Sequence, residues 1–380
     1  MSSTICILPI LAALFGANDF NKIDNHIHWN TVNSEQKILV EQHWQNHTDL
    51  DLFKNGEITS KASNNASDVN QFLKDHNFQI QLTDLHDPLA FYVASILNIA
   101  LEWEKEGDTQ KMDGGTCTQP FTYDAVIFDK NNGQTFKVYK LTTDYSRLNE
   151  YNISRFFSSL PSHSKHRLNE TLRNDYDFVD SEILEVKAKN GDTVYMMPIL
   201  DQYAIYGIAG TGCNPVVRGR ISKHKQFDTA NFELLETITE KWQKSIVSEN
   251  EISDYDQAIF PKVSIDQEVD ISWLVGLQAC TLACREIRGY PAACLAPQYT
   301  IAQALQQTKF EMDEKGAKVE SAAAISGLMT MCEPHDKKIF TINKPFYLWI
   351  MRPGMQTPIF AAVINYDSWK GYSKMPGIMF

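Results

Sequence analysis

The balance of apolar and polar positions changes several times along the chain, and each change predicts an element. From Thr4 to Phe15 the run is almost wholly apolar and closes on Gly16-Ala17. It is too short to span a bilayer and has no Lys or Arg ahead of it, so a buried helix is preferred to a cleaved signal. Ser60 to Asn70 is polar and rich in Asn and Ser, a loop. Val69, Phe72 and Leu73 then recur at helical spacing, which predicts a short helix ending near Asn77. From Leu89 to Leu101 the apolar run is nearly unbroken, the pattern of a strand buried on both faces. Asn131-Asn132-Gly133 is a turn signal between Val126-Ile127-Phe128 and Phe136-Lys137-Val138, and Asn190-Gly191-Asp192 does the same between Ile183–Val186 and Val194–Pro198. Two antiparallel hairpins are expected there. Asn152 to Asn174 reads as an insertion, and Phe232 to Ile246 as an amphipathic helix.

One stretch changes character within itself. Phe310 to Asp313 alternates like a half-buried strand, and Glu314-Lys315-Gly316 then leads into small residues. Read with period two, Ala317, Val319, Ser321, Ala323 and Ile325 share one small or apolar face, while Lys318, Glu320, Ala322, Ala324 and Ser326 share a wetter one. That is a strand able to sit inside a sheet, yet it runs on into Pro334-His335-Asp336 and two lysines, which read as exposed loop. Such a segment could leave solvent and enter a sheet, driven by main-chain hydrogen bonds.

The stretch resembles the hinge and reactive-centre loop of the serpins, Asp313-Glu314-Lys315-Gly316 included. Asn343-Lys344-Pro345-Phe346, followed by Tyr347–Met351 and Ile359–Ile364, resembles the family's C-terminal signature. Ile259–Ile265, with Pro261-Lys262, and then Val269–Leu277 resemble its L-P-K-F-x-I pattern and downstream helix, and Ser2–Ala17 resembles its buried second helix. Val69–Leu85 followed by Leu89–Trp103 resembles the run from its sixth helix into the third strand of its large sheet.

The resemblance implies an α+β fold of one domain over residues 1–380, with three β-sheets, eight or nine helices and an exposed reactive-centre loop at about 314–340. It implies a hinge made of Glu314, Gly316, Ala317, Val319, Ser321, Ala322, Ala323 and Ala324. The family's loop length places the reactive bond at Thr330–Met331, with Leu328 and Met329 ahead of it in the specificity positions. Those apolar residues imply a chymotrypsin- or elastase-like target, serine or cysteine, as partner. Asn98, Trp103 and Gln306 fall on the sheet-opening region, Asn98 on the family's buried asparagine.

The mechanism the resemblance implies is that the target cuts the loop and the freed segment inserts as a strand, dragging the attached protease away. From Gly316 to Thr330 a strand would span about 45 Å, at roughly 3.3 Å per residue. Ten or so new ladder bonds at about 0.5–1.5 kcal/mol each give on the order of 10 kcal/mol, comparable to a whole domain's stability. Two departures bear on this. Val319-Glu320-Ser321 stands where the family has alanines, and Gln306-Gln307 replaces its His-Lys just where Ile5 replaces a helix serine. Two readings follow: a suicide protease inhibitor acting by loop insertion, or a serpin-fold protein that no longer inhibits and binds a ligand or partner instead.

Composition narrows the field further. A formal charge of −12, spread along the chain, argues against nucleic acid and anionic membranes as partners. Seven cysteines without a C-x-x-C pair favour free thiols, with one disulfide as the second reading and zinc last, although Cys280, Cys284 and Cys294 lie close together. His26-x-His28 would share a strand face and His43 and His47 a helix face, without a carboxylate spacing that completes a metal motif. Gly207, Gly210 and Gly212 do not match a nucleotide-binding spacing. No hydrolytic motif is present, so the chain is expected not to be an enzyme, to need no cofactor or metal, and to be monomeric. Asn46, Asn65, Asn152 and Asn169 head glycosylation sequons, which leave the compartment open.

Overall fold

A computed structural model describes residues 2–45, 47–54, 56–116, 119–141, 181–198, 252–280, 297–318 and 338–374. The chain opens with β1 (Ser3–Ile5), α1 (Ile7–Phe20), β2 (His28–Asn30), α2 (Ser34–Ile38), β3 (Ile58–Ser63), α3 (Ala66–Asp75), β4 (Tyr92–Leu97) and β5 (Ala100–Glu102). β6 (Asp108–Thr116), β7 (Gln119–Asp129), β8 (Phe136–Leu141), β9 (Ser181–Lys187) and β10 (Thr193–Pro198) follow. Next come β11 (Ile252–Ser253), β12 (Gln257–Pro261), β13 (Val263–Val269), β14 (Gln278–Cys280), β15 (Pro297–Thr300), β16 (Gln306–Met312) and β17 (Gly316–Lys318). The end is β18 (Ile339–Thr341), β19 (Phe346–Met351), β20 (Phe360–Ile364) and β21 (Ser373–Lys374).

The seven-stranded sheet, in the order β1-β20-β19-β10-β9-β8-β11, is the structural centre. Its strands β19 and β20 are apolar at every position because each face meets a different core. Phe346, Leu348 and Ile350 of β19 point into one cluster with Phe310 and Phe360, whereas Tyr347, Trp349 and Met351 point into another with Ile10, Leu11 and Leu14 of α1. A strand enclosed on both sides reads as a continuous run, not as an alternation. α1 is therefore a core helix, as its composition predicts, and the hairpins β9–β10 and β19–β20 form as expected. Gly191, at φ 92°, supplies the left-handed turn between β9 and β10. Asn65 caps α3 through its side chain, and the helix ends at His76, close to the predicted stop.

Four expectations are corrected. The Leu89–Leu101 run is not one doubly buried strand: β4 alternates buried and half-buried residues, Asn98 breaks the ladder, and Leu89 is exposed. The reason is that α3 packs closely on one face of β4, through Ala66, Val69 and Leu73, whereas the other face, with Val93 beside Gly16 of α1, is only partly covered. The Asn131-Asn132-Gly133 turn forms, but β7 and β8 do not pair. β7 joins β6 and β12 in a five-stranded sheet, and β8 joins β9 in the seven-stranded one. The helix expected after β13 is a single 3-10 turn, Ser272–Leu274, among the described residues. Cys280 is disulfide-bonded, whereas Cys6 is a buried free thiol.

The sheets number five among the described residues, where three were expected, and α-helices number three there. The Asn152–Asn174 insertion, the Phe232–Ile246 helix, Gly207 to Gly212, Cys284 and Cys294 lie outside the described residues. No group of metal-binding side chains occurs among those described.

Candidate functional site

The site begins at the turn between β16 and β17. Asp313 closes it: its backbone N–H donates to the Gly316 carbonyl at 2.9 Å, and its carboxylate accepts from the Lys315 and Gly316 N–H groups at 2.9 and 3.3 Å. β17 then lies between β16 and β5, antiparallel to both, with Ala317 opposite Met312 on one side and Leu101 on the other. β5 and β16 are therefore parallel to each other and held apart by one short strand. Ala317 is 2% exposed, so its inward face has room for a methyl group and little more. At Gly316 a Cβ would overlap the Leu101 carbonyl oxygen, which makes glycine a steric requirement of the close approach.

Two groups hold this hinge from outside. Trp103, 1% exposed, donates its indole N–H to the Asp313 carbonyl at 2.8 Å and its backbone N–H to the Lys315 carbonyl at 3.0 Å. Lys262 reaches Glu314 at 2.6 Å, with the two side chains 18% and 22% exposed. Burial alone would raise the Glu314 carboxyl, but the hydrogen bond and charge of Lys262 outweigh it and hold the group below its ordinary range.

Beyond Ala317 the space between the two parallel edges opens into a cavity of about 870 Å³. Ile10 and Leu14 of α1 line one side, Ile96 and Leu101 a second, and Phe310 a third. On the outer side the segment after α3 crosses as a strap, contributing Phe78, Ile80 and Leu82 to the lining. Gln307 accepts from the Gln79 N–H at 2.7 Å, and Gln303 both accepts from and donates to the Thr83 backbone at 2.9 Å. Lys309 adds a bond to the Asn77 carbonyl at 2.6 Å. Among the described residues β4 is bonded along one edge only, to β3.

Gln306 lies in the cavity wall, 8% exposed, with its Nε2 donating to the Cys6 carbonyl at 2.8 Å. The side chain thus reaches the N-cap of α1 through the backbone, with buried Ile5 making no polar contact in place of the serine the resemblance leads one to expect. Asn98, expected to be buried, is exposed, and its N–H donates to the Glu57 carbonyl at 2.8 Å. It lies in the break between β4 and β5, where the chain turns outward to meet β3.

Against known proteins, the family model described as "Serpin (serine protease inhibitor)" matches residues 226–366, a span that contains β12, β13, β16, the hinge and β17 through β20. Over those residues the chain is similar to the serpin family. Solved serpin structures align at low identity. Serpin48 of the insect Tenebrio molitor is 12% identical over 94% of this chain and 97% of its own, with a TM-score of 0.39. A serpin of the trematode Schistosoma haematobium is 13% identical over 96% and 93%, with a TM-score of 0.46. A thyroxine-binding globulin in complex with thyroxine is 12% identical over 94% and 98%, with a TM-score of 0.39. No curated protein matches the chain in sequence. Identities and TM-scores this low carry no argument of their own, and the family match covers residues 226–366.

Of the serpin site residues expected from sequence, Glu314, Gly316, Ala317, Trp103 and Gln306 come together around the hinge and the cavity, and Asn98 stands at its edge. Val319, Ser321, Ala322, Ala323, Ala324, Leu328, Met329, Thr330 and Met331 lie outside the described residues. Sequence reasoning missed Lys262 as the partner of Glu314, although the Pro261-Lys262 pair was itself a recognised feature. It also missed Gln303 and Gln307 as clamps of the strap; glutamines spaced four apart carry no signal of their own.

Proposed function

We propose that this chain is a serpin-type suicide inhibitor, not an enzyme, of a chymotrypsin- or elastase-like protease, and that it works by cleavage and insertion of its reactive-centre loop. The observation that carries the reading is the lodging of Gly316–Lys318 between β5 and β16, at the head of a cavity bounded by the parallel edges that follow. If the ladder continues in its present register with β16, Val319 falls opposite Phe310, Ser321 opposite Thr308 and Ala323 opposite Gln306. The inward positions are then small or apolar beside a buried wall, and Glu320 falls on the outer face. Each added residue exchanges exposed main chain for ladder bonds, which gives insertion its direction once the loop is cut.

Leu328, Met329 and Met331 flank Thr330, and no Arg or Lys lies between Lys318 and Lys337, which favours apolar-directed proteases over trypsin-like ones. The test is to mix the protein with chymotrypsin and with elastase. The expected result is an SDS-resistant complex and a peptide released at Thr330–Met331, read by mass spectrometry. Cleavage in this region with no complex and no gain in thermal stability would overturn the proposal and favour the non-inhibitory reading.

A further inference from the structure

The cavity has features that strand insertion does not call for. It exists before insertion, held open by α1 on one side and by the Gln303 and Gln307 clamps on the other. Three leucines at its margin, Leu85, Leu89 and Leu305, are 41%, 87% and 45% exposed. A concave apolar space of this size, with exposed apolar residues at its rim, has the dimensions of a small-molecule site, which typically spans ~300–1,000 Å³.

Its polar groups are few, and most are committed. The Lys309 ammonium is held by the Asn77 carbonyl at 2.6 Å and by Asp266 at 3.6 Å, and the Asp87 carboxylate accepts from the Leu89 N–H at 2.8 Å. The Thr308 hydroxyl lies beside the Cys6 thiol, whose pKa burial pushes up to about 12 despite that contact, so the thiol is uncharged. Two buried oxygens of the lining, Thr308 Oγ1 and Gln306 Oε1, have no hydrogen-bond partner, and of these Gln306 Oε1 can only accept. Because Gln306 Nε2 is fixed on the Cys6 carbonyl, the amide cannot turn over, and its Oε1 remains a buried acceptor without a partner. An unpaired buried acceptor costs about 1–3 kcal/mol, which a donor brought by a ligand would recover.

We propose that this cavity binds a neutral, largely apolar small molecule carrying one N–H or O–H donor, with the donor directed at Gln306 Oε1. The absence of an uncommitted charge in the lining described above argues for a neutral ligand. Because the molecule would lie in the path of a strand extending from Ala317, it would hold the loop out of the sheet. That second clause rests on the inhibitory reading; the binding itself does not.

The test uses N-phenyl-1-naphthylamine, an uncharged fluorophore with a single N–H, titrated against the full, uncleaved chain. Saturable binding at one site is expected. Ala13→Phe, which places a ring into the cavity from α1, should weaken binding by at least about tenfold, and Gln306→Leu by several-fold, on the scale of one hydrogen bond. Thermal melts of both variants establish that they are folded. If Ala13→Phe fails to fold, Gln306→Leu decides. No saturable signal, or binding that the folded variants leave unchanged, overturns the site. Adding the cleaving protease then separates the two claims. Release of the probe on cleavage supports mutual exclusion, and retention overturns it. Intact probe binding without protease trapping overturns the inhibitory reading alone.

Discussion

The seven-stranded sheet and the sheet that holds β17 are built from similar residues to opposite ends. In the first, β10, β19 and β20 are paired on both edges and covered on both faces, and Trp349 and Leu348 are fully buried. In the second, β13 and β16 form a long ladder, the strand between β16 and β5 is Gly316–Lys318 among the described residues, and a cavity adjoins it. One sheet is complete, so its contacts can only be lost. On the proposed reading, the other reaches its most stable arrangement only once the loop is cut and inserted.

Cleavage of the loop should have the largest effect, because it lets the second sheet resemble the first. Insertion worth on the order of 10 kcal/mol should raise the melting temperature by about 20 °C, measured calorimetrically before and after limited proteolysis. A non-inhibitory relative would gain little. Trp349→Ala should cost about 3–5 kcal/mol in denaturant unfolding. Because that tryptophan sits in the complete sheet, the loss should be the same in the cut and uncut forms.

Ala317→Arg tests the incomplete sheet in the opposite sense. A charge forced into a position that is 2% exposed should leave the loop cleavable but unable to insert. The protease complex seen on a denaturing gel should then fall by at least about tenfold, while free cleaved chain accumulates.

The smallest expected effect concerns the Lys262–Glu314 pair. The Glu314 pKa is held below its ordinary value of 4.5, so its contribution is present above that value and is lost as the pH falls through the depressed one. Glu314→Gln should cost about 1 kcal/mol or less at neutral pH and flatten the acid limb of the stability curve below pH 4.5. An acid limb identical to that of the parent chain would show that the pair does not anchor the hinge.

Much of the complete sheet was readable before any coordinates, because local chemistry and tertiary environment agree there. Asn190-Gly191-Asp192 demands a left-handed turn, and Gly191 makes one; the hairpin expected there pairs as β9 and β10. Where covering elements decide, the reading failed. The Leu89–Leu101 run has the composition of a doubly buried strand, yet α3 packs closely on one face of β4, α1 covers the other only in part, and Asn98 turns outward to meet Glu57. The turn at Gly133 was legible, but which sheet each flanking strand would join was not, because that choice depends on partners distant in sequence, β12 for β7 and β9 for β8.

The sequence by itself determined the core helix and the small alternating face of the hinge, because each follows from side-chain size, polarity and period within a few neighbouring residues. Only the tertiary structure decided that Gly316 must be a glycine beside the Leu101 carbonyl, that Lys262 holds Glu314, and that Gln306 is pinned to the start of α1. Those facts depend on residues tens to hundreds of positions apart meeting at contact distance, and nothing in a local pattern encodes that meeting.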